Sequence, residues 1–440
     1  MGGMNLAILA LLLMAQTVTP DMPSLLETYR HLHANPELSG QEQQTARLVA
    51  QELRQLGFEV TEGLGQYDRA GLKGYGIVGV LKNGQGPVVL IRTDLDALPI
   101  EEKTGLPFAS KVKATSPAGE QVSAMHACGH DVHMTSFLGT AKALSENRKN
   151  WQGTLVMVGQ PAEEIGAGAR ALFKDGLYTR FPKPDFALAL HTSAQLESGK
   201  IGYCPEFALA GVESVDVTIK GKGGHGAYPH TAKDPIVLAA QFILAIQTII
   251  SREVPPIDSG VVTVGSIHGG TKHNIIPDEV KLQLTIRYYK PEIRTLILAS
   301  IERIAKGLAT AAGMPDSAQP IVKYGTEFNA ATFNDPELTK RLVPAWQREL
   351  GEAQVTRVDP VMGAEDFAYY SKDNGVKGCI FWLGGIPAAL MSEHRTQGKP
   401  LPSLHSSDLA PDAEKAIPIG IRAMVAAALE LFKKPADKAN

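Results

Sequence analysis

Four short apolar runs, at residues 76–81, 87–92, 153–158 and 185–190, set the frame for the first half of this chain. They are rich in Val, Ile and Leu and flanked by Gly, Pro or Asp, and so read as buried strands. Residues 131–146 carry apolar positions at helical spacing, as do two stretches within 24–56 that end at Gly57. Strands alternating with helices imply an α/β layer on a largely parallel sheet. Ligands of such sheets bind beyond the carboxyl ends of the strands. Arg92-Thr-Asp94, the segment 160–164 and His191 each follow directly on one of these runs, so they are expected at one edge.

The middle of the chain has a different rhythm. Residues 211–220 alternate apolar and polar with period two, as a strand with one wet face does. A helix over 234–251, strands over 260–268 and 279–288, a helix over 291–312 and a last strand near 320–324 follow. This β-α-β-β-α order suggests a separate α+β domain inserted into the first. A helix at 337–350, a strand at 378–383 and a long amphipathic helix at 413–432 resume the α/β layer. The expected division is a main domain at 21–206 and 320–435, flanking an insert at 207–319.

With 44% hydrophobic and 20% charged residues, the 440-residue chain has enough apolar material for a large core. A formal net charge of −3 argues against a nucleic-acid partner, which needs a basic face. The apolar run 6–14 is shorter than the about 20 residues that a membrane-spanning helix needs. No stable membrane span is therefore expected. The run has the length of a signal-peptide core, with Ala15 near a cleavage point, although no Lys or Arg precedes it. Residues 1–20 are expected to direct export to the periplasm or medium; without that role the chain would be cytoplasmic. Three cysteines cannot form a disulfide framework. Cys204 and Cys379 read as buried thiols, with a bond between them left open for an exported protein.

The chemistry concentrates in His126-Ala-Cys128-Gly-His130-Asp131-Val-His133, where four nitrogen or sulfur donors and a carboxylate fall within eight residues. Such ligands suit zinc or another transition ion, not calcium or magnesium. Cys128 and His130, one residue apart, share a side of an extended chain. His126 and His133 are expected as hydrogen-bond partners of ligands. Glu163 and Glu164 are adjacent, so their side chains point apart: one neutralises a cation, and the other stands where it can exchange a proton with water. With His191 and His405, the donors Cys128, His130 and Glu164 could serve two metal ions. The thiolate favours zinc, and mixed His/Glu sites also take manganese, cobalt or nickel. Hydrolysis assisted by one or two divalent ions is the expected activity.

The chain resembles the aminoacylase/carboxypeptidase metallopeptidase family, specifically its branch of N-acyl-amino-acid hydrolases, hippurate hydrolases and plant auxin-conjugate hydrolases. The resemblance rests on Arg92-Thr-Asp-Leu-Asp-Ala-Leu-Pro99, His126-Ala-Cys-Gly-His-Asp131, Gln160-Pro-Ala-Glu-Glu164, Gly223-Gly-His-Gly-Ala-Tyr-Pro-His230, Asn274-Ile-Ile-Pro277 and Gly363-Ala-Glu-Asp-Phe367. It implies a di-metal peptidase-like fold with Cys128, His130, Glu164, His191 and His405 as ligands and Glu163 as general base. It also implies that the insert is a lid and dimerisation domain. His225 matches a lid histidine that stabilises the oxyanion, commonly in the partner subunit's site. Asn274 and Arg287 match positions that hold a substrate carboxylate. Other branches place a metal-binding His-x-Asp where this chain has Arg92-Thr-Asp94, which leaves Asp94 as a residue that supports ligands. Val132 and Gly226 stand where smaller or different residues are usual. The implied substrate is a small N-acyl amino acid. The alternatives are a dipeptidase or carboxypeptidase, and a metal- or ligand-binding protein without catalysis.

Overall fold

The computed structural model describes residues 21–69, 71–116 and 119–433. The expected signal segment 1–20 lies outside them.

The chain builds an eight-stranded mixed sheet in the order β1-β2-β4-β3-β5-β12-β6-β11. Its strands are β1 (Glu59–Leu64), β2 (Gly76–Asn83), β3 (Val88–Asp94), β4 (Gly153–Gln160), β5 (Phe186–Glu197), β6 (Ile201–Tyr203), β11 (Val355–Arg357) and β12 (Lys377–Ile386). Strands β4, β3, β5 and β12 run parallel to their neighbours at the centre, and β1, β2 and β6 pair antiparallel outside them. The four central strands are buried almost throughout, since both faces of the sheet are covered. On one face lie α1 (Met22–Ala34), α2 (Gln43–Gln55), α3 (His130–Glu146), α6 (Pro336–Leu350) and α7 (Ala413–Phe432). The opposite face packs on Leu172, Leu209, Phe367 and Tyr370. Inside α7, Ala423 offers its carbonyl to the Trp346 indole N–H at 3.0 Å, a bond that ties α7 to α6.

A second sheet, four-stranded and antiparallel, runs β8-β9-β7-β10. It is made of β7 (Gly211–Lys220), β8 (Gly260–Gly269), β9 (Glu279–Tyr288) and β10 (Ile321–Asn329). Val215, Val217 and Ile219 point to one face of β7, where α4 (Pro235–Thr248) and α5 (Pro291–Ala311) cover them. Asp234 caps α4 by accepting the Ile236 N–H at 2.9 Å, with Pro235 in the first turn. The expected 319/320 division falls ahead of β10, whereas backbone pairing carries this sheet to Asn329, opposite Val212. The expected start at 207 precedes it: Ala208 and Leu209 pack under the large sheet. Gly325-Thr-Glu carries no apolar alternation, which hides the length of β10 in sequence.

Among the described residues, one helical segment, Pro235–Glu253, is long and apolar enough to cross a membrane. Its Leu238, Ala239, Phe242 and Ile246 are buried against the second sheet. The cysteine pair left open in sequence is not formed. Cys204 and Cys379 are both free thiols, with Cys204 Sγ 3.3 Å from the Phe207 carbonyl and Cys379 Sγ 3.8 Å from Thr339 Oγ1.

Candidate active site

The strand ends converge as the α/β pattern requires. β3 delivers Asp94, β4 leads into Glu163 and Glu164, and His191 sits within β5. The loop before α3 brings Cys128, and His130 opens the helix. Gly129 between them has φ 80°, and a Cβ there would stand 2.9 Å from Thr192 Oγ1, so the turn that presents both donors requires glycine. His405 arrives from the loop ahead of α7 in a left-handed conformation (φ 64°), unusual for a non-glycine residue, with its N–H bound to the Ala127 carbonyl.

Donor atoms of Cys128, His130 and His191 lie within 4.8 Å of one another, as do those of Cys128, Glu164 and His405. Two clusters therefore share the Cys128 thiol. His130 Nδ1 is 2.7 Å from the Asp96 carbonyl and His191 Nδ1 is 2.8 Å from the Thr192 carbonyl. A carbonyl can only accept, so each Nδ1 carries the proton and each Nε2 keeps its lone pair. Nε2 of His130 is buried with no hydrogen-bond partner. Yet Asp94 Oδ2, Glu163 Oε2 and Glu164 Oε1 surround it at 3.7–3.8 Å. Glu164 Oε1 is likewise buried and unpartnered.

These groups are poorly matched to one another as they stand. Burial, with the neighbouring carboxylates, raises Glu163, Glu164 and the Cys128 thiol well above their ordinary pKa values. Burial also lowers His130 to about 4 and His191 well below its usual range. Every shift disfavours the ionised form, which is what acids and imidazoles crowded without a cation should show. Orphaned lone pairs on His130 Nε2 and Glu164 Oε1, within a mixed S, N and O donor set, fit divalent transition ions.

The supporting residues are equally specific. His133 accepts the Thr192 N–H at Nε2 (2.7 Å) and faces Asp94 Oδ1 through Nδ1 (2.8 Å). Both nitrogens are thereby engaged, by Asp94 and the Thr192 backbone and not by any of the five expected ligands. Asp94 also receives the Arg92 guanidinium at 2.8 Å. His126 does not meet expectation: both ring nitrogens are buried without a hydrogen-bond partner, and burial lowers its pKa to about 4. Its neighbour in the motif, Asp131, is taken instead by His33, at 2.7 Å from Nδ1.

Sequence reasoning gave no role to Glu365 and Asp366. The buried Arg92 donates to both at 2.9 Å and to Gln160 Oε1 at 3.0 Å. Carboxylate oxygens of Glu365, Asp366 and Glu163 cluster within 4.8 Å. Burial pushes Glu365 up to about 8 in spite of Arg92. A fully buried guanidinium among carboxylates is costly to break, which gives this network its rigidity. The Gly363-Ala-Glu-Asp-Phe367 motif was the available signal.

Beside the donors opens a cavity of about 400 Å³. Cys128, Glu163, Glu164, His191 and His405 border it from the large sheet, and Arg287 and Phe328 from the second. His225 and Asn274 do not border it. They stand together on a short ribbon in which Gly224–His225 pairs with Ile275–Ile276, and the Gly226 N–H binds the Asn274 carbonyl at 2.9 Å.

His33 makes a testable contribution to stability. Burial alone would lower its pKa, but hydrogen bonds to Asp131 and Glu102 outweigh that and raise it from 6.5 to about 10. A raised folded-state value means that the stabilisation is complete below pH 6.5 and is lost as pH climbs through about 10. Thermal melts across that window should show a decline that His33→Gln lacks. An equal decline in both proteins would refute this assignment.

The model of peptidase family M20/M25/M40 matches residues 90–430. An N-acetyl-L-cysteine deacetylase of Bacillus subtilis is 36% identical over 350 residues, 79% of this chain and 77% of that one. Thermostable carboxypeptidase 2 of Saccharolobus solfataricus is 34% identical over 82% of this chain and 85% of its own. The crystal structure of a Bacillus subtilis protein described as a dinuclear metal binding peptidase of the M20 family superposes with a TM-score of 0.74. It is 30% identical to this chain, and the match covers 93% of this chain and 98% of that one. The protein is accordingly a metal-dependent hydrolase of amide bonds, and the chain belongs to peptidase family M20/M25/M40.

Proposed function

We propose that this enzyme releases the amino acid from small N-acyl amino acids, and that Cys128, His130, Glu164, His191 and His405 hold one or two divalent transition ions. The thiolate favours zinc, with manganese, cobalt or nickel as alternatives. Bound ions would polarise the scissile carbonyl and make water more acidic. Glu163 takes a proton from water at its carboxylate and returns it to the leaving amine nitrogen. The Arg287 fork binds the substrate carboxylate, a task suited to a guanidinium, and Asn274 assists from the lid. The observation that carries the reading is that Cys128, Glu164, His191, His405, Glu163 and Arg287 all border one cavity, with His130 within 4.8 Å of the Cys128 and His191 donor atoms.

The proposal includes a homodimer. Ile236, Val237 and Leu244 of α4 are exposed, Leu244 by 73%, and β8 is an edge strand of the second sheet. An apolar helix beside an open edge favours a second copy. Pairing would also give His225 and Asn274, which do not border their own cavity, a site in the partner, where His225 supports the oxyanion and Asn274 the substrate carboxylate. Export rests on the apolar run at 6–14 alone.

The carboxypeptidase likeness favours one second reading, cleavage of dipeptides through the same groups. Metal content, mass by light scattering and hydrolysis of acetyl, benzoyl and glycyl versions of one amino acid test these points together. Expected are a particle of twice 47.1 kDa and chelator-sensitive cleavage of the acyl compounds. Cleavage of the glycyl compound alone would establish the second reading. Cleavage that survives removal of all metal would overturn the mechanism.

A further inference from the structure

Gln160 ends β4, and the chain must then turn to present Glu163 and Glu164. Pro161 has no N–H to donate, and Ala162, fully buried, adopts a left-handed conformation with φ 54°. A non-glycine residue holds that conformation only where its surroundings impose it. The next three backbone N–H groups all go to buried carboxylates. Ala162 donates to Glu42 Oε1 at 2.8 Å, Glu163 to Asp96 Oδ1 at 3.1 Å and Glu164 to Asp96 Oδ2 at 3.0 Å. Glu42 Oε1 also receives the Gly40 N–H at 2.8 Å, and Asp96 Oδ2 the Ser39 hydroxyl at 2.6 Å. The main-chain carbonyl of Asp96 in turn holds His130 Nδ1 at 2.7 Å. Asp96 thus touches the backbone of the base, the backbone of one metal donor and the ring of another.

We propose that Asp96 and Glu42 are positioning residues, whose carboxylates hold the Ala162-Glu163-Glu164 backbone and so set where the two glutamate side chains stand. The proposal rests on the roles given above to Glu163 and Glu164. A loop that merely needed closing could be satisfied by one acceptor. Here three successive donors meet two buried carboxyl groups brought from other segments, the turn ahead of α2 and the stretch just past β3. Acceptors fixed at three consecutive N–H groups restrain direction as well as distance.

The two residues are tested differently because they accept differently. Asp96→Asn leaves one acceptor oxygen and turns an NH₂ toward a backbone N–H, so one of the two bonds is lost. Glu42→Gln keeps an Oε1 that can receive both Gly40 and Ala162, whereas Glu42→Ala removes it. Affinity for Co²⁺ from chelator competition and the visible spectrum of the Co²⁺ protein report the donor geometry without any substrate. Asp96→Asn and Glu42→Ala are expected to weaken Co²⁺ binding by about 10–100-fold and to shift the spectrum, with kcat falling more than KM rises. Glu42→Gln should restore wild-type behaviour. Unchanged affinity and spectrum in Asp96→Asn and Glu42→Ala would overturn the proposal, as would a Glu42→Gln protein as impaired as Glu42→Ala. If Asp96→Asn does not fold, the Glu42 pair decides alone. If the wild-type enzyme cleaves no acyl amino acid, the substrate proposal fails while the Co²⁺ measurements still judge the positioning.

Discussion

Replacing Glu163 with glutamine is expected to leave bound metal at the wild-type level and to lower kcat by about 10²–10⁴-fold, the usual contribution of a positioned acid–base group. Glutamine has the same shape, and the backbone of residue 163 keeps its bond to Asp96. What disappears is the ability to take up a proton. The surroundings show why this carboxylate suits the task. Burial first, and the carboxylates of Glu365 and Glu164 next, raise its pKa well above the ordinary glutamate value. Such a group accepts a proton readily and can give it up again to a basic amine. Its carboxylate nonetheless lies within 4.8 Å of donor atoms of His130 and Glu164. A ligand role for Glu163 would therefore show itself as metal lost from the variant. Full metal with near wild-type turnover would remove Glu163 from the reaction altogether.

Cys128→Ala is expected to be the more damaging change. The thiol belongs to both donor clusters, so its loss takes a ligand from each. Metal affinity should fall by more than the about 10–100-fold typical of losing a residue that merely supports a ligand, and hydrolysis should fall with it. Packing is a minor part of the effect, because alanine fills most of the space of a small side chain. Cys204→Ala is the matched control, since it removes another buried free thiol that lies outside both clusters. Mass spectrometry of the metal after dialysis, with turnover measured on the same samples, separates the two variants. Equal metal in both would exclude the thiolate as a ligand.

Much of this site is legible in sequence because its donors sit at the ends of recognisable strands. The runs before Asp94, Glu163 and His191 announce themselves by composition, and the alternation in 211–220 marks the second sheet as open to solvent on one face. Local spacing fails where partners are chosen across the fold. Asp96 lies two residues past Asp94, but the N–H groups it holds belong to Glu163 and Glu164. Glu42 is 120 residues from Ala162 and had no local signal at all. His126 looks like a member of the donor cluster by spacing, yet tertiary packing gives both its nitrogens nothing to bind. Arg287 lies inside an alternating strand whose spacing gives it no role; the family resemblance singled it out, and the meeting of the two sheets places it on the donors' cavity.

The order of the proposed donors along the chain bears on how the enzyme is assembled. Cys128, His130, Glu164 and His191 precede the second sheet, and His405 follows it. A ribosome-bound chain that has emerged only through β5 carries four of the five proposed donors and lacks the loop that brings the fifth. If these five hold the ions as proposed, the set is complete only once that loop closes, and the ions present in the compartment where it closes bear on which one is taken. An enzyme loaded inside a producing cell and one refolded in a defined buffer should then carry different ions on the same polypeptide.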